Sequence, residues 1–105
     1  MGVGITNNSN DIPMKYDLSQ NYPNPFNPST KFTFSLPKQS IVKIVVYDIT
    51  GKEVVTLVSR ELMPGVYDVG WDGLNDNGMR VSSGVYFYRV IAGSFIDTKK
   101  MVLVK

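Results

Sequence analysis

The sequence predicts an all-β fold, a single antiparallel β-sandwich of about six to seven strands with no disulfide. Three observations carry this. From Lys31 onward apolar and polar residues alternate, the period of a half-buried strand. Turn signals interrupt that alternation about every ten residues. No window of about ten residues has a helical period, and "SRELM" (59–63) has room for one helical turn and no more.

In chain order, "KFTFSL" (31–36) puts Phe32, Phe34 and Leu36 on one face and Lys31, Thr33 and Ser35 on the other. Pro37 to Ser40 turns the chain. "IVKIVVYDI" (41–49) faces Val42, Ile44 and Val46 inward, with an amphipathic second face of Ile41, Lys43, Val45 and Tyr47, as in a central strand. Gly51 supplies a positive φ for a hairpin, and "KEVVTLV" (52–58) returns with Val55 and Leu57 inward. Pro64-Gly65 fits the middle of a type II turn. "VYDVGW" (66–71) buries Tyr67, Val69 and Trp71. "DGLNDNG" (72–78) is a loop in which Asn77-Gly78 marks a tight turn. "VYFYRVIAG" (85–93) follows, with Tyr86, Tyr88 and Val90 on one face, and "FIDTKKMVLVK" (95–105) runs to the end. "MKYDL" (14–18) adds a possible short strand. The rings of Phe32, Phe34, Tyr67, Trp71, Tyr86 and Tyr88 supply much of the expected core.

A chain of 105 residues suits one domain and buries roughly two-thirds of its unfolded surface. Residues 1–19 read as a starting segment and polar linker, and residues 20–105 as the sandwich, cut from a longer protein. A net charge of +2 gives no reason to expect nucleic acid as a partner. No apolar run approaches the ~18 residues of a spanning helix, so membrane insertion is not expected, and the N-terminus lacks the order of a signal peptide. The chain has no Cys and no His, which removes zinc-thiolate sites, a His-based triad and the commonest general base. With nine acidic residues, most in turns or on polar faces, no catalysis and no cofactor are expected.

"NYPNPFNPST" (21–30) holds three of the six prolines. Proline fixes φ and lacks an N–H, so this cannot be a central strand. The residue before each proline is pushed to extended geometry, which predicts extended Tyr22, Asn24 and Asn27 and a stiff, nearly extended crossing into "KFTFSL". Asn24 and Asn27 are expected to cap their own turns. Tyr22 and Phe26 are expected to pin the crossing to one end of the sandwich.

Three further sites were weighed. The loop from Asp72 offers side-chain oxygens, but a calcium loop of the EF type wants ligands at its third and twelfth positions, where this chain has Leu74 and Ser83. A β-turn built by Asx hydrogen bonds is the better reading. Exposed rings suggest carbohydrate stacking, with Tyr22, Phe26 and Phe87 the candidates. The terminal "TKKMVLVK" turns either Met101 and Leu103 or Val102 and Val104 inward. It is either a solvated basic end or an accessible edge strand that another protein reads by strand addition.

The succession of "NYPNPFNPST", "MPGVYDVGWDG" with "SSGVYFYRV", and a terminal "TKKMVLVK" resembles the C-terminal sorting domain of the type IX secretion system, in the variant similar to the immunoglobulin-like domain of the flagellar hook-capping protein. The resemblance covers about residues 20–105. It implies an immunoglobulin-like sandwich that directs a larger secreted Gram-negative cargo to the outer-membrane translocon and its shuttle or sortase components. It implies a monomer, fused behind an N-terminal cargo domain, that passes through the periplasm to the cell surface or medium. Carried over by motif, Pro23, Asn24 and Pro25 match the opening element, Gly65 and Tyr67 the central Gly-x-Tyr, and Lys99, Lys100 and Lys105 the terminal one. Two alternatives stay open: a carbohydrate-binding or accessory module of a secreted hydrolase, and a flagellar hook-cap domain.

Overall fold

The computed structural model describes residues 3–9 and 11–105, and of Val3 the backbone alone. Among the described residues eight strands form two four-stranded antiparallel sheets, an immunoglobulin-like sandwich. The strands are β1 (Val3–Ser9), β2 (Asp17–Leu18), β3 (Thr30–Leu36), β4 (Ser40–Asp48), β5 (Glu53–Leu62), β6 (Gly65–Trp71), β7 (Gly84–Ala92) and β8 (Phe95–Leu103). One sheet has the order β1-β6-β3-β2 and the other β5-β4-β7-β8.

The alternation becomes burial. Phe32, Phe34 and Leu36 of β3, Val42, Ile44 and Val46 of β4, Tyr67, Val69 and Trp71 of β6, and Tyr86, Tyr88 and Val90 of β7 form one buried cluster. Aromatic contacts join the sheets: Phe32 stacks on Tyr88 with centroids 4.2 Å apart, and Trp71 meets Tyr86 edge-on at 5.4 Å. Each such pair adds about 0.5–1.5 kcal/mol beyond its burial. The Tyr88 hydroxyl, buried between the sheets, donates to the Ser19 carbonyl at 2.7 Å. Burial holds that hydroxyl above the usual phenol range.

The β4–β5 hairpin is closed by Asp48. Its Oδ1 accepts from the Thr50 hydroxyl and from the Thr50 and Lys52 amides, and Gly51 sits at φ +88°. The Thr50 hydroxyl bond leads in lowering the Asp48 carboxyl below its usual value.

Three local expectations give way to longer-range contacts. "SRELM" is not a helical turn: β5 continues to Leu62, which is buried opposite Ser40 of β4. Gly65 is not the third residue of a type II turn, which needs φ near +80°. Its φ of +157° starts β6 directly. The 1–19 stretch, polar in composition, carries β1, which pairs along the outer edge of β6 from Val3–Trp71 to Ser9–Val66. The short strand near 14–18 is Asp17–Leu18.

The "NYPNPFNPST" segment is not an extended crossing. Tyr22 and Lys31 exchange both backbone hydrogen bonds, at 2.8 and 3.2 Å, which closes residues 22–31 into a loop. Inside the neck Asn21 is buried. Its Nδ2 donates to Thr30 Oγ1 (3.0 Å) and to the Pro23 carbonyl (3.2 Å), and the Thr30 hydroxyl also donates to Pro23 O (2.8 Å). The peptide bonds before Pro23, Pro25 and Pro28 are cis. Two pairings across the neck, Tyr22 with Lys31 and Asn21 with Thr30, turn back a segment expected to run straight into β3. Phe26 goes into the core against Trp71, with centroids 5.6 Å apart, while the Tyr22 ring is 81% exposed. Of the two rings, Phe26 pins the loop and Tyr22 does not.

Candidate functional site

The last strand lies between two neighbours. Its inner edge pairs with β7 along its whole length, from Ala92–Phe95 to Gly84–Leu103. Its outer edge, over the C-terminal half, is taken by the segment before β3. Gln20 Nε2 donates to the Lys100 carbonyl at 2.6 Å. The Val102 amide donates to Asn24 Oδ1 at 3.0 Å, and the Val102 carbonyl accepts from the Phe26 amide at 2.9 Å. The Val104 amide donates to the Phe26 carbonyl at 2.9 Å. Further up, Tyr16 stacks on Phe95 at 4.7 Å. Residues 16–26 therefore run beside β8 and close that flank of the sandwich.

Asn24 does not cap its own turn, as its local sequence suggests. Its carboxamide oxygen replaces a missing strand, accepting the edge N–H that would otherwise face solvent. The opposite edge of the same sheet is treated alike. Asp76 Oδ1 accepts from the Thr56 amide at 3.2 Å, and the Asp76 amide donates to the Val54 carbonyl at 3.1 Å, so the 72–78 loop covers part of β5. Within that loop Asn75 Oδ1 accepts the Asn77 and Met79 amides, at 2.9 and 3.0 Å. The loop oxygens of Asn75 and Asp76 are thus engaged in turn and edge bonds.

The structure brings together the opening and terminal motif residues. Pro23, Asn24 and Pro25 lie in the loop that grips β8 at Lys100 to Val104. Lys99 is half-buried in register with Tyr88, on the core-facing side, and Lys100 points outward in register with Phe87. Met101 and Leu103 are the inward pair. The Lys105 amide donates to Ser83 Oγ at 3.1 Å. Lys105 also lines a cleft of about 250 Å³ with Asn27, Asp72 and Arg80, where one oxygen of Asp72 is buried without a hydrogen-bond partner among the described residues.

Gly65 and Tyr67 do not join this cluster. Gly65 opens β6 opposite Leu36, about 20 Å of strand away from the Trp71 end against which Phe26 packs. The Tyr67 hydroxyl donates to the Met63 carbonyl at 2.6 Å, tying the start of β6 to the turn before it. The same device recurs at the start of β7, where Tyr86 donates to the Ser82 carbonyl at 2.7 Å and Gly84 has φ +155°. The signal for the second copy is in the sequence: Gly-Val-Tyr occurs at 65–67 and again at 84–86. Of the rings considered for sugar stacking, Phe26 is buried, Tyr22 is exposed and Phe87 is half-buried on an outer sheet face.

Compared with known proteins, residues 19–94 match the model of the FlgD Ig-like domain. The chain belongs to the FlgD Ig-like domain family. Among solved structures, the fold recurs in proteins of low identity, among them PorU, PorZ and FlgD. Dimeric latent PorU from Porphyromonas gingivalis is 23% identical with a TM-score of 0.66, over 90% of this chain and 10% of that one. PorZ, a surface component essential to the type IX secretion system of the same organism, is 21% identical with a TM-score of 0.58, over 86% of this chain and 11% of that one. FlgD from Pseudomonas aeruginosa is 24% identical with a TM-score of 0.55, over 70% of this chain and 58% of that one. This FlgD Ig-like domain thus spans about a tenth of the length of PorZ and PorU. No curated protein matches the chain.

Proposed function

We propose that this FlgD Ig-like domain is a non-catalytic C-terminal sorting domain, which addresses a cargo on the same polypeptide to the type IX translocon and so to the cell surface or medium. The observation that carries the reading is the contact between Asn24 and Val102. Two sequence elements 78 residues apart, each resembling part of a sorting signal, form one hydrogen-bonded unit. Lys100 stands outward beside that contact and Lys105 follows it. The likeness in fold to PorZ, a component of that secretion system, supports the same direction.

The test is a reporter carrying a signal peptide, fused ahead of residues 20–105 and expressed in a type IX-competent cell. Surface delivery that requires the translocon, and that stops in the periplasm when the last residues are deleted or Lys99 and Lys100 are replaced, is the expected result. Delivery that survives these changes, or that needs no translocon, sinks the reading.

A second reading draws on the family match and on the likeness to FlgD of P. aeruginosa, of which this chain covers 58%. In it the domain is a hook-cap module. It requires an assembly domain ahead of residue 20 in the full-length gene and flagellar genes beside it.

A further inference from the structure

The two outer faces of the sandwich differ in kind. Over β3 and β6 the outward positions include Thr33, Ser35 and Asp68, and the polar groups there satisfy one another. The Asp68 carboxylate accepts from Thr33 Oγ1 at 3.1 Å and from Asn8 Nδ2 at 3.0 Å. That is the ordinary solvated side of an antiparallel sheet.

Over β4, β7 and β8 the outward side chains sit in register rows: Tyr47 beside Phe87 and Lys100, Val45 beside Arg89 and Thr98, Lys43 beside Ile91 and Ile96. Ile41 and Ile96 are 74% and 61% exposed. Arg89 lies along the sheet, its guanidinium 5.4 Å from the Tyr47 ring centroid and its Nε donating to Thr98 Oγ1 at 3.1 Å. Cations and apolar groups alternate, and no outward position of these three strands carries a carboxylate. The nearest acids on the same side, Glu53 and Glu61, are on β5, across from Tyr47 and Ile41. A sheet face with apolar side chains where polar ones would be cheaper, interspersed with positive charge, has the composition of an interface rather than of a free surface.

We infer that the outer face of β4-β7-β8 is a docking surface for a separate protein whose contact patch has an apolar centre surrounded by carboxylates. Charge selects this occupant. The three cations Lys43, Arg89 and Lys100 call for carboxylates opposite them, and the β4-β7-β8 face of a second copy offers none, its nearest being Glu53 and Glu61 at the β5 margin. An acidic partner instead gains steering and register from the same three cations. The inference goes beyond the sorting reading and stands without it, because it concerns contact and not export.

The test places a photo-crosslinking amino acid at Phe87 or Ile91 and, as controls, at Thr33 or Ser35 of the opposite face. The full chain is expressed in its native cells. Adducts from positions 87 and 91 to one protein, through an acidic peptide, and none from 33 and 35, are expected. Combining Lys43→Glu with Ile41→Glu, both remote from the Asn24–Val102 contact, should cut the adduct roughly tenfold while leaving the melting temperature within a few degrees. Equal adducts from both faces, no adduct at all, an adduct with a second copy of the chain, or a yield indifferent to the charge change overturns the inference. So does retention on an insoluble polysaccharide that Phe87→Ala abolishes, which would assign the face to sugar.

Discussion

The carboxamide oxygen of Asn24 accepts the backbone N–H of Val102 at 3.0 Å, so a loop side chain near the start of the domain serves as the missing neighbour of its last strand. An edge N–H left without it faces solvent, and net loss of such a bond costs about 1 kcal/mol. Asn24→Ala should therefore lower the melting temperature by roughly 4–8 °C and speed hydrogen exchange at the Val102 amide, while Asn24→Asp, which keeps the acceptor, should do neither to the same extent. Unchanged Val102 exchange in the alanine variant would remove the contact from the account.

Phe26 and Tyr22 lie four residues apart in one loop with opposite fates. Phe26→Ala opens space beside Trp71 and should cost about 3–5 kcal/mol, with a shift in tryptophan emission. Tyr22→Ala removes a ring in water and should stay within about 0.5 kcal/mol. Denaturant melts followed by fluorescence measure both, and equal costs would contradict the loop's anchoring.

The two Gly-Val-Tyr copies separate backbone strain from steric room. Both Gly65 and Gly84 have positive φ, so Ala is strained at either. A Cβ at Gly65 would also meet the Ser9 carbonyl and Asn7 Nδ2 at 3.0 Å, whereas at Gly84 it finds nothing within 4 Å. Gly65→Ala should be the more destabilising, and removing residues 1–10 should abolish the difference between the two. A difference that outlasts the truncation would mean β1 is not the obstacle.

Tyr88 predicts behaviour in alkali. Its folded pKa lies above the ordinary value of 10.0, so the stability linked to it is complete below that value and is lost as pH rises past it. Tyr88→Phe should flatten this alkaline loss, at a cost near neutral pH of about 1 kcal/mol for the Ser19 carbonyl left unbonded. Parallel stability curves for the two proteins above about pH 10 would show that another group governs the loss.

Most of the sandwich was legible because its signal is local. Alternation in β3, β4, β6 and β7 names the inward residues directly, since the side-chain period is two and one face must be dry. Val3–Ser9 was not legible because its apolar signal is brief, with Ile5 against the core and a polar run after it. It becomes a strand by pairing with the edge of β6. "SRELM" has little strand signal of its own, and β4 extends it across the sheet. The opening and terminal motifs could be named from sequence, but not that they touch. The Asx preference of Asn24 for a nearby amide is a local rule, and the amide it takes is 78 residues away. Gly65 and Tyr67 were legible as a motif, and their structural purpose emerges from the matching bond at Tyr86.

The clasp of Gln20–Phe26 on Lys100–Val104 also sets an order of events. A ribosome releases the loop long before the strand it grips, so Phe26 must wait, without its bridge to Leu103, until Lys100–Val104 have been made. Contacts of this sequence separation form late and slowly. The domain is thereby a gauge of its own completion: its flank shuts once translation has delivered Val104, and a chain stopped short of Lys100 keeps that seam open.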